Sequence, residues 1–289
     1  MAMDTNGDLS VDQLGVIHQL LLQSPPGELH VVLEEIKDLL NGQGIPTGFL
    51  ENSIREYNLT HNVLVDVNGT SRPLLLYGSV DDDSNVYSDV VDGKCYLFDH
   101  VHNTIESELD YSEPLCQENM QALYRSLIEE GKKYVETRFT GRSNVFVSVD
   151  GDHIDVLIVG EMIKLRNYYT GRWVSRYSLD VSENMIFMAG MVDIATHYFE
   201  NGNVRMDVHK DMDPTSISYP ASGVSRTVFQ KIASFEDGVQ EGLLSSFSSM
   251  KQDSLKEFRR QLPKTHQHFT WIVNAHRMAD TMKETKLES

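Results

Sequence analysis

The sequence predicts an α+β fold, and three features predict it. Short amphipathic helical patterns fill the first sixty or so residues. Five runs rich in Val, Ile, Tyr and Phe, divided by turn residues, occupy 143–211. One helical pattern of about forty residues follows Pro214 and Pro220.

Ser10 is placed to cap a first helix, in which Leu14, Ile17, Leu20 and Leu21 recur at helical spacing. That helix ends at Ser24-Pro25-Pro26-Gly27-Glu28, whose prolines and acidic residue are also helix-start signals. The second helix carries Leu29, Val32, Leu33, Ile36 and Leu39/Leu40 on one face. A third, weaker pattern covers about Thr47–Tyr57. Three such helices on short links predict a small antiparallel bundle. Residues 62–101 change character: Val63–Val67, Pro73–Tyr77 and Lys94–Val101 read as strands, with Asp81–Asp83 a solvated loop. Residues 115–139 return to helix, with Met120, Leu123, Tyr124, Leu127 and Tyr134 as the apolar stripe.

The β-rich region reads as a five-stranded antiparallel meander over Asn144–Asp150, His153–Arg166, Trp173–Val181, Met185–Phe199 and Val204–Lys210. The Asn201-Gly202 pair between the last two runs is a hairpin signal, because both central residues of a type I′ turn need φ > 0. In the long helix Val228, Ile232, Phe235, Val239, Leu243, Phe247 and Met250 recur every three or four residues. Phe258 and Leu262 extend the stripe until Pro263 stops it. Forty helical residues span about 60 Å. Five strands about 4.8 Å apart are narrower than that, so the pattern calls for a second subunit with its own sheet.

Composition excludes several functions. The 289 residues carry a formal charge of −18, which argues against broad nucleic-acid binding through phosphate neutralisation. The charge is uneven. Residues 251–289 hold eight Lys/Arg and five Asp/Glu, so a basic tail follows an acidic body. Two cysteines, Cys95 and Cys116, are too few for a secreted disulfide scaffold. The opening MAMDTNGDLS has neither a basic nor an apolar signal region, and no run approaches the ~20 apolar residues of a membrane span. A cytoplasmic chain with reduced thiols is expected, in which the Asn58-Leu-Thr and Asn68-Gly-Thr patterns carry no glycan.

No catalytic constellation emerges. Asp4–Ser10 resembles half a calcium loop, but Leu9 and Gly15 stand where Gly and Glu are required. His266, His268 and His276 have no Cys or carboxylate at ligand spacing. Asp99-His100 with Ser107 has nothing to fix its geometry. There is no Gly-rich phosphate loop. A chain that is not an enzyme, with no cofactor and no metal, is expected.

The unusual features lie at the end. Lys256, Arg259, Arg260 and Lys264 surround a helix C-terminus. Stabilising the helix dipole accounts for one or two cations there, not four. Pairing with the acidic body, or contact with an acidic partner, are the alternatives. Beyond Pro263, Trp271, Ala275, Met278 and Met282 fall at i, i+4, i+7 and i+11, with Ile272 alongside. Such a stripe is usually core. Here it follows a helix breaker, and the long helix already has its own stripe. Met-rich amphipathic helices also serve as groove-binding surfaces.

Leu255-Lys-Glu-Phe-Arg-Arg-Gln-Leu-Pro-Lys-Thr resembles a signature of the F-actin capping protein alpha subunit family. His197-Tyr-Phe-Glu-Asn-Gly-Asn-Val204 resembles a second signature, continuing into His209-Lys210-Asp211. Gly171-Arg172-Trp173, Pro25-Pro26-Gly27-Glu28 and Phe98-Asp99-His100 match in the same order, so the resemblance spans nearly the whole chain. Leu255, Asn201, His266 and Tyr177 depart from the usual Phe, acidic residue, Arg and Trp. His266 removes a permanent positive charge beside the basic cluster.

The resemblance implies a helical stalk over 1–60, a small β-rich globule over 61–114, an antiparallel sheet with flanking helices over 115–262, and an actin-binding tentacle over 263–289. It implies a heterodimer with a capping protein beta subunit, in which two sheets join into one of ten strands. It implies capping of the actin filament barbed end, in the cytoplasm and cytoskeleton. Lys256, Arg259, Arg260 and Lys264 would supply charge. Trp271, Ile272, Ala275, Met278 and Met282 would dock in an apolar groove. Phosphoinositides and capping-protein regulators are further partners that it admits. The alternative is a dimeric scaffold of the same fold that binds an acidic peptide or phosphoinositide instead of actin.

Overall fold

A computed structural model describes residues 9–78, 84–114, 116–200, 203–220 and 222–249. The chain divides into two units, Met1–Ala233 and Ser234–Ser289. The first unit opens with three helices, α1 (Val11–Leu22), α2 (Leu29–Leu39) and α3 (Thr47–Thr60). Ser10 caps α1 in a reciprocal box: its hydroxyl accepts from the Gln13 N–H, and the Gln13 side chain accepts from the Ser10 N–H. Ile17, Leu21, Leu33, Ile36, Ile54 and Tyr57 interlock as the bundle's core. The weakest helical pattern in the sequence gives the longest of the three helices, because Ile54 and Tyr57 are held by tertiary packing rather than by propensity.

Two short strands, β1 (Leu64–Val65) and β2 (Leu74–Leu75), pair antiparallel. A three-stranded sheet follows: β3 (Val86–Asp89), β4 (Lys94–Asp99) and β5 (Thr104–Asp110). Sequence patterning anticipates β4 but not its neighbours. β5 reads Thr-Ile-Glu-Ser-Glu-Leu-Asp and is largely exposed, so it lacks the apolar alternation of a half-buried strand. Val65, Leu74, Leu76, Tyr87, Tyr96 and Phe98 form the core here.

Helix α4 (Glu118–Arg138) leads into the central sheet of β6 (Arg142–Asp150), β7 (His153–Lys164), β8 (Tyr169–Val181), β9 (Met185–Tyr198) and β10 (Val204–Ser218). All neighbours pair antiparallel in sequence order, as the meander reading requires. β10 runs eight residues past the predicted end at Lys210. A register shift between Met212 and Thr215 lets it accommodate Pro214.

The long helix α5 spans Val224–Ser249; its predicted continuation to Leu262 lies outside the described residues. Its first turns belong to the first unit. Phe229 stacks tilted on Tyr134 of α4 at 5.4 Å, and Lys231 Nζ donates to Thr215 Oγ1 of β10 at 3.0 Å. A methyl group on Gly131 would stand 3.0 Å from both Phe229 and Val145, so the glycine lets α4, β6 and α5 approach closely. Register and alternation place Val145, Val156, Ile158, Tyr177, Leu179 and Val192 on this helix-covered face. Within the second unit, Ser234–Ser249 is helical.

Candidate functional site

The opposite sheet face carries two different environments. At one end it meets the three-helix bundle through buried polar groups. Glu28 precedes α2, yet its side chain does not cap the helix. Its Oε1 instead accepts from Thr170 Oγ1 of β8 at 2.8 Å and from His197 Nδ1 of β9 at 2.7 Å. His197 stacks on Phe199, and its other nitrogen meets Asn203 Oδ1 at 3.0 Å. Gly27 makes this reach feasible. Its φ is +75°, and an added Cβ would stand 2.7 Å from Ile163 of β7.

Beside this cluster Arg172 Nε donates to Glu161 Oε1 at 2.7 Å, with side-chain exposures of only 4% and 0%. Tyr57 of α3 lies against the pair, and burial raises its hydroxyl pKa. Further along, Arg176 donates to Asp193 Oδ2 at 2.8 Å and to Asn62 Oδ1 at 2.6 Å, tying β8 to β9 and to the end of α3.

His100 closes a third junction. Asn58 of α3 meets its Nδ1 and Tyr87 of β3 meets its Nε2, each at 2.9 Å. Burial, assisted by Arg55, pulls its pKa down to about 4, so the ring is neutral at ordinary pH. Asp99 holds the following turn and the exposed His102 instead, and Ser107 lies on β5, so these residues form no catalytic relay. Asn58 is likewise buried in this hydrogen bond rather than offered at the surface.

The four motifs within the described residues are therefore joints. Pro-Pro-Gly-Glu, Gly-Arg-Trp, the His197 run and Phe-Asp-His each place a polar residue where the helices or the small sheet meet a neighbouring element.

β6 and β10 are the sheet's two edge strands. From β6, Arg142 Nη2 donates to the Leu64 carbonyl at 2.6 Å and Asn144 Nδ2 donates to the Pro73 carbonyl at 2.8 Å, which pins β1–β2 to the sheet face. β10 has β9 on one side and, among the described residues, no strand on the other. Of its fifteen residues Ile217 alone is buried. A long unpaired edge is a template for another chain. Sequence reasoning expected a second subunit but did not assign this edge. The available signal was a long terminal strand alternating in charged residues, with no buried face.

Among the described residues no group of three or more His, Cys, Asp or Glu could hold a metal, and no helix is long and apolar enough to cross a membrane. Cys95 and Cys116 are unpaired. All nine candidate contact residues, Lys256, Arg259, Arg260, Lys264, Trp271, Ile272, Ala275, Met278 and Met282, lie outside the described residues, as do Asp4–Asp8 and His266, His268 and His276.

An antiparallel five-stranded sheet jointed to a three-helix bundle defines the α+β class of this protein. Comparison with known proteins identifies which kind. The family model of the F-actin capping protein alpha subunit matches residues 17–281, and the chain belongs to that family. An F-actin-capping protein subunit alpha from Gibberella zeae is 32% identical, covering 86% of this chain and 88% of its own. One from Neurospora crassa is 28% identical, covering 89% and 91%. The solved homodimeric actin capping protein alpha subunit from Plasmodium berghei shares the fold, with a TM-score of 0.72 at 17% identity over 89% of this chain and 99% of that one.

Proposed function

We propose that this chain caps actin filament barbed ends as the alpha subunit of a heterodimer, blocking gain and loss of actin subunits there. The observation that carries the reading is the family match across residues 17–281, which includes the basic cluster and the amphipathic stripe as far as Met278. In this reading the β10 edge pairs with the matching strand of a beta subunit, completing a ten-stranded sheet. The four regions have distinct tasks: stalk 1–60, globule 61–114, sheet and long helix 115–262, tail 263–289. The protein works by binding, not catalysis, in the cytoplasmic actin cytoskeleton.

Lys256, Arg259, Arg260 and Lys264 act first, orienting the dimer on an acidic filament end; electrostatic attraction of this kind speeds encounter and fixes register. Trp271, Ile272, Ala275, Met278 and Met282 then bury in an apolar groove on actin. The test is barbed-end elongation of pyrene-labelled actin with the chain co-purified with a beta subunit. Wild type should stop elongation. Reversing Arg259 and Arg260 to Glu should slow capping, more at low salt than at high salt. Deleting residues after Pro263 should leave the dimer intact and weaken capping. Unimpeded elongation with the intact wild-type dimer overturns the reading.

A further inference from the structure

The sheet face repeats one arrangement twice, once at the end far from the bundle and once in the cleft beside it. On β7, His153 and Asp155 point to the same side, and Asp180 of β8 stands directly opposite His153. On β10, His209 and Asp211 do the same, and Asp193 of β9 stands directly opposite His209. Each ring lies between two carboxylates. His153 has Asp180 Oδ1 at 2.7 Å on Nδ1 and Asp155 Oδ1 at 3.1 Å on Nε2. His209 has Asp193 Oδ1 at 2.6 Å on Nδ1 and Asp211 Oδ1 at 3.2 Å on Nε2.

Geometry alone sets the protonation state this arrangement needs. A neutral imidazole has one N–H and one lone pair; only the imidazolium has an N–H for each carboxylate. Without the second proton, one carboxylate in each trio faces a lone pair and its opposing charge is no longer offset. We propose that the two Asp–His–Asp bridges are proton-controlled side-chain staples across β7–β8 and β9–β10, clamped when charged and open when neutral, on strands that the backbone ladder keeps paired in both states.

The surroundings support this. Around His153 the other groups are the Ser178 hydroxyl at 3.2 Å and Tyr77, Arg176 and Asp211, which share the shallow hollow lined by Asp155. Around His209 they are Arg176, already engaged by Asp193, and Arg205, already engaged by Asp207. His61 lines the same cleft, and burial lowers its pKa. Both bridging histidines are shifted above their ordinary 6.5, by hydrogen bonding to Asp180 and to Asp193 respectively. A group bound more tightly to its proton in the folded state stabilises below its unfolded pKa. That contribution is lost as pH rises through the folded one. The two bridges meet the same fate together, and the face gains two units of negative charge as they open.

The test uses the full-length chain, with whatever subunit it purifies with. Ring C–H resonances are followed by NMR between pH 5.5 and 9, assigned with His153→Gln and His209→Gln. Thermal melts are recorded over the same range for wild type and for the double variant. Both rings should titrate above 6.5. The wild-type melting temperature should fall by a few degrees as pH rises above neutrality, with a flatter profile for the double variant. Titration of both rings at or below 6.5 overturns the proposal even if a variant fails to fold. Equal pH slopes for wild type and a folded double variant also overturn it.

Discussion

The joint between bundle and sheet and the neighbouring β10 edge are parts of one sheet made from opposite materials. At the joint, Glu28, Glu161, Arg172 and His197 are buried, and their hydrogen bonds connect residues up to 169 positions apart in the chain. Along β10, fourteen of fifteen side chains reach solvent, and its ion pairs, such as Arg205 with Asp207 and His209 with Asp193, are exposed. Buried ionic pairs are costly to break because the remaining charge has no water to turn to. Exposed ones contribute little to stability. The joint should therefore resist change in the fold, and the edge should tolerate change until a partner is present.

The largest effect is expected from Arg172→Ala. It leaves Glu161 fully buried with only Arg142 Nη1 at 3.5 Å, and should cost about 3 kcal/mol or more in urea unfolding. If that loss is absent, the joint is not what the fold depends on. Next is His100. Its pKa falls from 6.5 in the unfolded chain to about 4 in the folded one, so the unfolded state binds the proton first. Stability should drop between pH 6.5 and 4 by up to about 3 kcal/mol, and a His100→Gln variant should show a shallower acid limb. This limb runs opposite to the alkaline loss expected of His153 and His209, so one pH series separates buried joint from exposed face.

Gly27→Ala should cost about 2 kcal/mol, from the positive φ and the collision with Ile163. The smallest folding effect is expected at the edge. Val204→Lys, at 60% exposed, should shift stability by less than about 0.5 kcal/mol. The same change should weaken subunit pairing in sedimentation.

Local order was legible where residues obey a period. The Ser10 cap and all five strands of the meander follow from residue type and spacing, while the reciprocal bond from Gln13 appears only in the structure. β10's true length was hidden because Asp211, Asp213 and Pro214 read as a stop, whereas a bulge carries the strand past them. β5 was hidden because it buries almost nothing. Glu28 looked like a helix-start residue. Its work is done on Thr170 and His197, a relation no local pattern encodes. The tail stands out in the sequence through charge and spacing, and its nine candidate residues remain a reading of that pattern and of the family resemblance.

The side chains of Arg142 and Asn144, which take the carbonyls of Leu64 and Pro73, have a consequence for how the molecule comes apart. They pin the β1–β2 hairpin to the sheet face on which Leu64 and Leu75 bury against Leu157, Val159 and Val174. Lifting the hairpin would strip that apolar patch and leave a guanidinium and an amide without their carbonyl partners. Hairpin and central sheet therefore share one core and should open as a single cooperative unit.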